Sequence, residues 1–167
     1  MKTGTKKLTL LALFTAVAML FSYIEMLLPP ILPSVPGIKM GLPNIIIIFV
    51  LYRFSLKEAA AVSLVRIFLT ALLFGNAMTL IYSIAGASLS LAVQWLVKKW
   101  DRFSVLGVSI VGGVFHNLGQ VLTAAVLMQT REIIYYMAVL LFSGILSGII
   151  VGLLAFLLIK AAKKHNI

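Results

Sequence analysis

The sequence lacks several of the groups on which protein chemistry commonly depends. It has no cysteine, so neither a disulfide framework nor a thiolate metal site can form. Asp and Glu together account for only 4 of 167 residues, whereas Mg²⁺-dependent diphosphate chemistry usually needs clustered carboxylates. No G-x-x-x-x-G-K-[ST] loop is present, so this chain cannot bind ATP through a Walker loop. His116 and His165 stand apart, and we expect no metal site, no cofactor and no enzymatic activity in this chain.

Charge is also scarce. Only 11% of the residues are charged and 62% are apolar, whereas about a quarter of the residues are charged in a typical soluble domain. The composition therefore predicts an integral membrane protein. Lys and Arg outnumber Asp and Glu by 14 to 4, which in a soluble protein would suggest nucleic acid binding. Here the basic residues cluster between apolar runs, so membrane topology explains them better, and we expect no nucleic acid partner.

The apolar residues form six runs, and a helix needs roughly 17–25 such residues to cross a bilayer. None of the runs shows the strict alternation of apolar and polar residues that is typical of a membrane β-barrel. We therefore predict a single all-α domain, residues 1–167, with six transmembrane helices. The second run is short and could span with help from its flanks, lie tilted, or be partly re-entrant. The predicted spans are 8–28, 42–56, 58–75, 77–97, 105–128 and 133–160.

The basic residues predict how the chain is oriented. If the N-terminus is cytoplasmic, eleven Lys and Arg residues lie in cytoplasmic segments and only Lys39 and Arg131 lie outside. This strong positive-inside bias predicts a multi-pass protein of the cell membrane with both termini in the cytoplasm. The start "KKLTLLALFTAVA" also resembles a cleaved secretory signal. We favour a membrane span, because the apolar run continues past Ala18.

The segment "PPILPSVPGIKMGLPN", residues 29–44, holds all five prolines of the chain. Such a segment cannot form a regular helix. On the predicted topology it lies outside the membrane. It is either a plain connector or a cover over a cavity.

One charged residue is out of place in this apolar chain. Arg66 lies near the middle of the third predicted span, where a charge is energetically expensive. A pairing with Glu25 or with backbone carbonyls would make Arg66 a structural residue. Alternatively, its guanidinium could anchor an anionic or carbonyl-rich ligand. The sequence leaves both interpretations open.

The stretch "VGGVFHNLGQV", residues 111–121, places His116, Asn117 and Gln120 among glycines within the fifth span. Small residues beside hydrogen-bonding groups can let another helix approach closely, or they can form the wall of a ligand pocket. We favour the pocket, because helix association usually needs only one amide or hydroxyl. Further polar residues lie next to the outer loop and turn. The residues predicted to bind a substrate are Arg66, His116, Asn117, Gln120, Lys39, Asn44 and Asn76.

Two sets of small residues are spaced four apart. Gly144, Gly148 and Gly152 form a Gly-x-x-x-Gly-x-x-x-Gly run in the sixth span, which is typical of close helix packing. Ala12 and Ala16 form a similar pair in the first span. Because such alanine pairs arise easily by chance, this pair shows only that another helix could approach there.

Two motifs together resemble a known family. "PGIKMGLPNI" (36–45) followed by "GGVFHNLGQ" (112–120) resembles the Gx transporter family, whose members are often labelled heptaprenyl diphosphate synthase component I. The six-span layout extends this resemblance over the whole chain. That family is similar to the S components of energy-coupling factor (ECF) transporters. These are six-helix proteins that bind a vitamin or precursor and dock on a transmembrane T component and two cytoplasmic ATPases.

The resemblance implies a function and its partners. The chain would be the substrate-binding subunit of an ECF-type transporter that takes up a vitamin, a cofactor, or an isoprenoid or quinone precursor. Ala12 and Ala16 would match the face that meets the T component, and the pocket would lie near the outer side. The alternatives are a membrane subunit of an isoprenoid or quinone enzyme and a structural partner of a membrane redox complex. Prenyl synthases carry aspartate-rich motifs, which this chain lacks.

Overall fold

The computed structural model describes residues 4–28, 40–129, 135 and 137–164. Within these residues the chain is all-helical, as predicted, and no strand is present. Each helix begins and ends within four residues of the corresponding predicted run. Lys39, most of the proline-rich segment and Arg131 lie outside the described residues. The helices are α1 (Thr5–Leu27), α2 (Asn44–Arg53), α3 (Leu56–Phe74), α4 (Ala77–Lys99), α5 (Val105–Met128) and α6 (Met137–Lys164).

Four of these helices, α1, α4, α5 and α6, are long and apolar enough to cross a membrane. The chain is therefore a membrane protein. Helix α3 has 19 residues but includes Lys57, Glu58 and Arg66. Helix α2 has only 10 residues, which gives a length of about 15 Å, half the thickness of the hydrocarbon core. Six membrane spans and cytoplasmic termini thus remain predictions.

Polar side chains fix where three helices begin. The hydroxyl of Ser55 accepts a hydrogen bond from the Lys57 amide at 3.2 Å, at the start of α3. The hydroxyl of Ser104 accepts one from the Gly107 amide at 3.2 Å, at the start of α5. Asn76 begins α4 with a reciprocal capping box. Each cap satisfies an N–H group that has no partner within its own helix.

Helix α2 lies at the centre of the bundle, where it packs against α1, α3 and α6. Every residue from Ile45 to Leu51 is buried, so the apolar run has no face that is open to lipid. The ammonium group of Lys98 lies 4.8 Å from the centre of the Tyr52 ring and donates a hydrogen bond to the carbonyl of Leu51 at 2.6 Å. This contact caps the C-terminal end of α2 from α4.

The helices alternate in direction, so the start of α1 and the end of α6 lie at the same end of the bundle. Ten of the eleven described Lys and Arg residues lie at this end, which we call the basic end, and Arg66 is the exception. Lys7 of α1 forms an ion pair there with Glu58 of α3. Apart from Arg66, the described basic residues therefore lie together at one end of the bundle, as the positive-inside prediction requires. The residues at the basic end are Lys6, Lys7, Arg53, Lys57, Lys98, Lys99, Arg102, Lys160, Lys163 and Lys164.

Helix α5 packs closely between α4 and α6, and glycines in α5 and α6 make this close packing possible. A Cβ atom at Gly119 would lie 2.9 Å from the carbonyl oxygen of Ala85 in α4. On the other side, a Cβ atom at Gly144 of α6 would lie 2.8 Å from the carbonyl oxygen of Gly113. Cβ atoms at Gly148 and Gly152 would lie 2.6 Å from Ile110 and 2.8 Å from Ser109 of α5. The prediction that the Gly-x-x-x-Gly run packs against another helix is therefore confirmed.

Candidate functional site: a polar cavity opposite the basic end

A cavity of about 310 Å³ lies in the half of the bundle away from the basic end. All six helices contribute to its wall, and α2 does so through its first residue, Asn44. This volume lies at the lower end of the range that is typical of small-molecule pockets, roughly 300–1,000 Å³. Lys39 lies outside the described residues. The other six residues predicted to bind a substrate all line the cavity: Arg66, His116, Asn117, Gln120, Asn44 and Asn76.

Arg66 reaches the cavity from α3 and is 9% exposed. Its Nη1 donates a long hydrogen bond of 3.4 Å to the hydroxyl of Ser22 in α1, and its Nε has no partner among the described residues. Glu25 lines the same cavity, and its charge acts on Arg66. The carboxylate of Glu25, however, accepts a hydrogen bond from the Gly41 amide. Arg66 therefore has a counter-charge on the same cavity wall, and within the described part of the chain its hydrogen bond goes to the Ser22 hydroxyl.

The polar residues of α5 divide between two roles. His116 and Gln120 are half-buried and lie over Gly86 of α4, where a Cβ atom would come within 2.9 Å of the side chain of Gln120. Asn117 instead donates a hydrogen bond from Nδ2 to the carbonyl of Leu140 in α6 at 2.5 Å. The stretch 111–121 thus joins α5 to α6 through Asn117 and lines the cavity with its histidine and glutamine.

Asn44 and Asn76 lie where two helices begin at the cavity. Asn44 is the first residue of α2. Asn76 is the N-cap of α4: its Oδ1 accepts a hydrogen bond from the Thr79 amide, and the Thr79 hydroxyl accepts one from the Asn76 amide, both at 2.9 Å. The side chain of Asn76 is therefore engaged in starting α4. Both helices direct the partial positive charge of their N-termini toward the cavity.

Two hydroxyl residues outside the predicted set also form part of the cavity wall. Ser22 and Thr70 line the cavity, and Thr70 lies one turn after Arg66 on the same face of α3. The hydroxyl of Thr70 is buried and has no hydrogen-bond partner among the described residues. The spacing of four residues from Arg66 is the signal that could have identified Thr70.

Ala12 and Ala16 lie apart from the cavity. Both are exposed on the surface of α1, whereas Ser22 and Glu25 of the same helix line the cavity. Helix α1 packs against α3 and α2, and the two alanines lie on its uncovered side. They are accessible to another helix, and their docking role stays a prediction.

Comparison with known protein families matches residues 14–158 with the family described as heptaprenyl diphosphate synthase component I. No curated protein and no solved structure matches the chain. The matched range includes every residue that lines the cavity and most of the sequence. The chain therefore belongs to the heptaprenyl diphosphate synthase component I family, the family expected from the motifs at 36–45 and 112–120.

Proposed function

We propose that the protein is the substrate-binding membrane subunit of a transporter similar to the ECF transporters. The observation that carries this proposal is the cavity of about 310 Å³, which is lined by Arg66 from α3 and by His116 and Gln120 from α5. Small-molecule sites commonly combine apolar walls with a few convergent polar groups. We infer that this cavity captures a vitamin, a cofactor or a small precursor of an isoprenoid or quinone.

The position of the cavity supports uptake. The basic residues gather at the opposite end of the bundle, and the positive-inside rule assigns that end to the cytoplasm. The cavity would then lie in the outer half of the membrane protein, where a substrate from outside arrives first. Both termini would lie in the cytoplasm.

Transport through such a subunit would need an energy source on other chains. The sequence contains no Walker loop, so a pair of cytoplasmic ATPases and a transmembrane T component are the expected partners. The exposed Ala12 and Ala16 offer a face on which a helix of the T component could pack closely. This face is separate from the cavity, so docking and substrate binding could be altered independently.

The family description favours a second candidate, a membrane component of heptaprenyl diphosphate synthase. We rank this candidate below the transporter subunit for two reasons. Asp101, the only aspartate of the chain, follows α4 at the basic end and does not line the cavity. The cavity also lies at the small end of the usual range, which suits a compact molecule better than a chain of seven isoprene units.

The two candidates predict different partners. The tagged chain would be purified from its native membranes, and the associated proteins and small molecules would be identified by mass spectrometry. The proposal predicts an ATPase pair with a further membrane protein, and predicts that Ala16→Trp releases them. A soluble prenyltransferase subunit in their place, with heptaprenyl diphosphate formed by the complex, would contradict the transporter proposal and support the second candidate.

A further inference from the structure

Arg66 has more hydrogen-bond donors than the described residues accept from. A guanidinium group carries five N–H donors in a fixed plane. The described residues accept one hydrogen bond from it, the 3.4 Å contact with the hydroxyl of Ser22, and Nε is buried without a partner. The side chain is more than nine-tenths buried and lines the cavity. A buried cation of this kind is stabilised when an anion completes its hydrogen bonds.

A second donor lies on the same face of α3 as Arg66. Thr70 follows Arg66 by one turn of α3, lines the same cavity, and has a buried hydroxyl without a partner. The hydroxyl of Ser22 donates its own hydrogen to the carbonyl of Ala18 at 3.0 Å, so it can only accept from Arg66. Among the described residues of α1 and α3, Arg66 and Thr70 thus line the cavity with buried polar atoms that have no hydrogen-bond partner.

The surroundings favour negative charge at this wall. Helices α2 and α4 both begin at the cavity, and the partial positive charges of their N-termini add to the charge of Arg66. Among the described residues, Glu25 is the one acidic residue on the cavity wall, and its carboxylate accepts a hydrogen bond from the Gly41 amide. In the described part of the wall, the positive charges of two helix N-termini and of the buried Arg66 therefore exceed the negative charge of Glu25.

We propose that Arg66 and Thr70 form a subsite that binds an anionic oxygen group of the ligand, a phosphate or a carboxylate. The planar guanidinium binds two oxygens of such a group at once, and the Thr70 hydroxyl donates to one of them. His116 and Gln120 then contact the remainder of the ligand. This subsite rests on the proposed function only in that the ligand enters this cavity.

The test uses the full chain, purified in detergent and freed of small molecules, with inorganic phosphate and acetate as probes in equilibrium binding. We expect saturable binding of at least one probe. Arg66→Gln should weaken that binding about tenfold or more, and Thr70→Val about two- to tenfold, because a charged hydrogen bond contributes more than a neutral one. The matched control is Arg102→Gln, an exposed residue at the basic end, which should leave the affinity unchanged.

Several results would overturn the subsite. These are no saturable binding of either probe, unchanged affinity in Thr70→Val, or an equal loss in Arg102→Gln. Thr70→Val decides the matter if Arg66→Gln does not fold, since it removes one hydroxyl at nearly constant volume. A preference for phosphate or for acetate identifies the anionic group, and either supports the subsite. A neutral molecule that co-purifies while both probes fail would refute the subsite and leave the proposed function intact.

Discussion

The close packing of α5 against α6 can be tested by adding one methyl group. In Gly144→Ala the new Cβ atom would lie 2.8 Å from the Gly113 carbonyl oxygen, with two more backbone atoms of α5 at 2.9 and 3.0 Å. Ordinary contacts begin at 3.4 Å, so the two backbones must separate by about 0.6 Å. A gap of about 0.5–1 Å forfeits a quarter to a half of each dispersion contact across the interface.

The expected net loss follows from two opposing terms. Overpacking typically costs about 1–3 kcal/mol, whereas replacing a helical glycine by alanine can return up to about 1 kcal/mol. With the full return, we expect Gly144→Ala to lower the free energy of unfolding by up to about 2 kcal/mol. The assay is denaturant or thermal unfolding of the purified protein in detergent.

The matched control is Gly107→Ala in the first turn of α5. The nearest atoms to its Cβ position, at 3.3 and 3.5 Å, belong to the flexible side chain of Phe103. This variant should unfold at the same denaturant concentration or temperature as the wild type, or at a slightly higher one. If Gly144→Ala proves as stable as Gly107→Ala, the helices are not held at backbone contact, and the account of the α5–α6 packing is wrong.

Other predictions address topology, docking and the contact between α4 and α5. Reporter fusions after Lys57 and Lys99 should both read cytoplasmic, and an external reading at either would refute the predicted orientation. Ala12→Trp and Ala16→Trp should each weaken assembly with a membrane partner while leaving small-molecule binding intact, and a parallel loss of both would argue against a separate docking face. The buried hydroxyl of Ser90 donates to a carbonyl of α5 at 2.8 Å, so Ser90→Ala should lower unfolding stability by about 0.5–1 kcal/mol, and unchanged melting would show that this bond contributes nothing.

Much of the fold follows from the sequence, because long apolar runs and helix-capping residues are local signals. The placement of α2 could not be predicted in this way. The run from Ile45 to Leu51 is apolar on every side, and it is equally compatible with a lipid-facing span and a central helix. Its burial depends on contacts with three other helices, and its short length is the one hint that the sequence offers.

In the candidate site, too, the sequence identifies individual residues but does not show which of them come together. Arg66, His116 and Gln120 could be recognised from the sequence because polar groups inside apolar runs are energetically expensive. Their meeting in one cavity depends on packing between distant helices. The engagement of Asn117 with the Leu140 carbonyl could not be predicted, because the sequence does not show which helix lies beside it.

The most direct test of the central claim, that the cavity binds a small molecule, is to fill the cavity. Ser83 lines it from α4, and Ser83→Phe would occupy the space that the ligand needs. Leu64→Phe adds the same ring on an exposed part of α3, where the leucine is 51% exposed. Mass spectrometry of the purified proteins should find one small molecule bound to the wild type and to Leu64→Phe, and absent from folded Ser83→Phe. Equal amounts in all three proteins, or none in the wild type, would contradict the account.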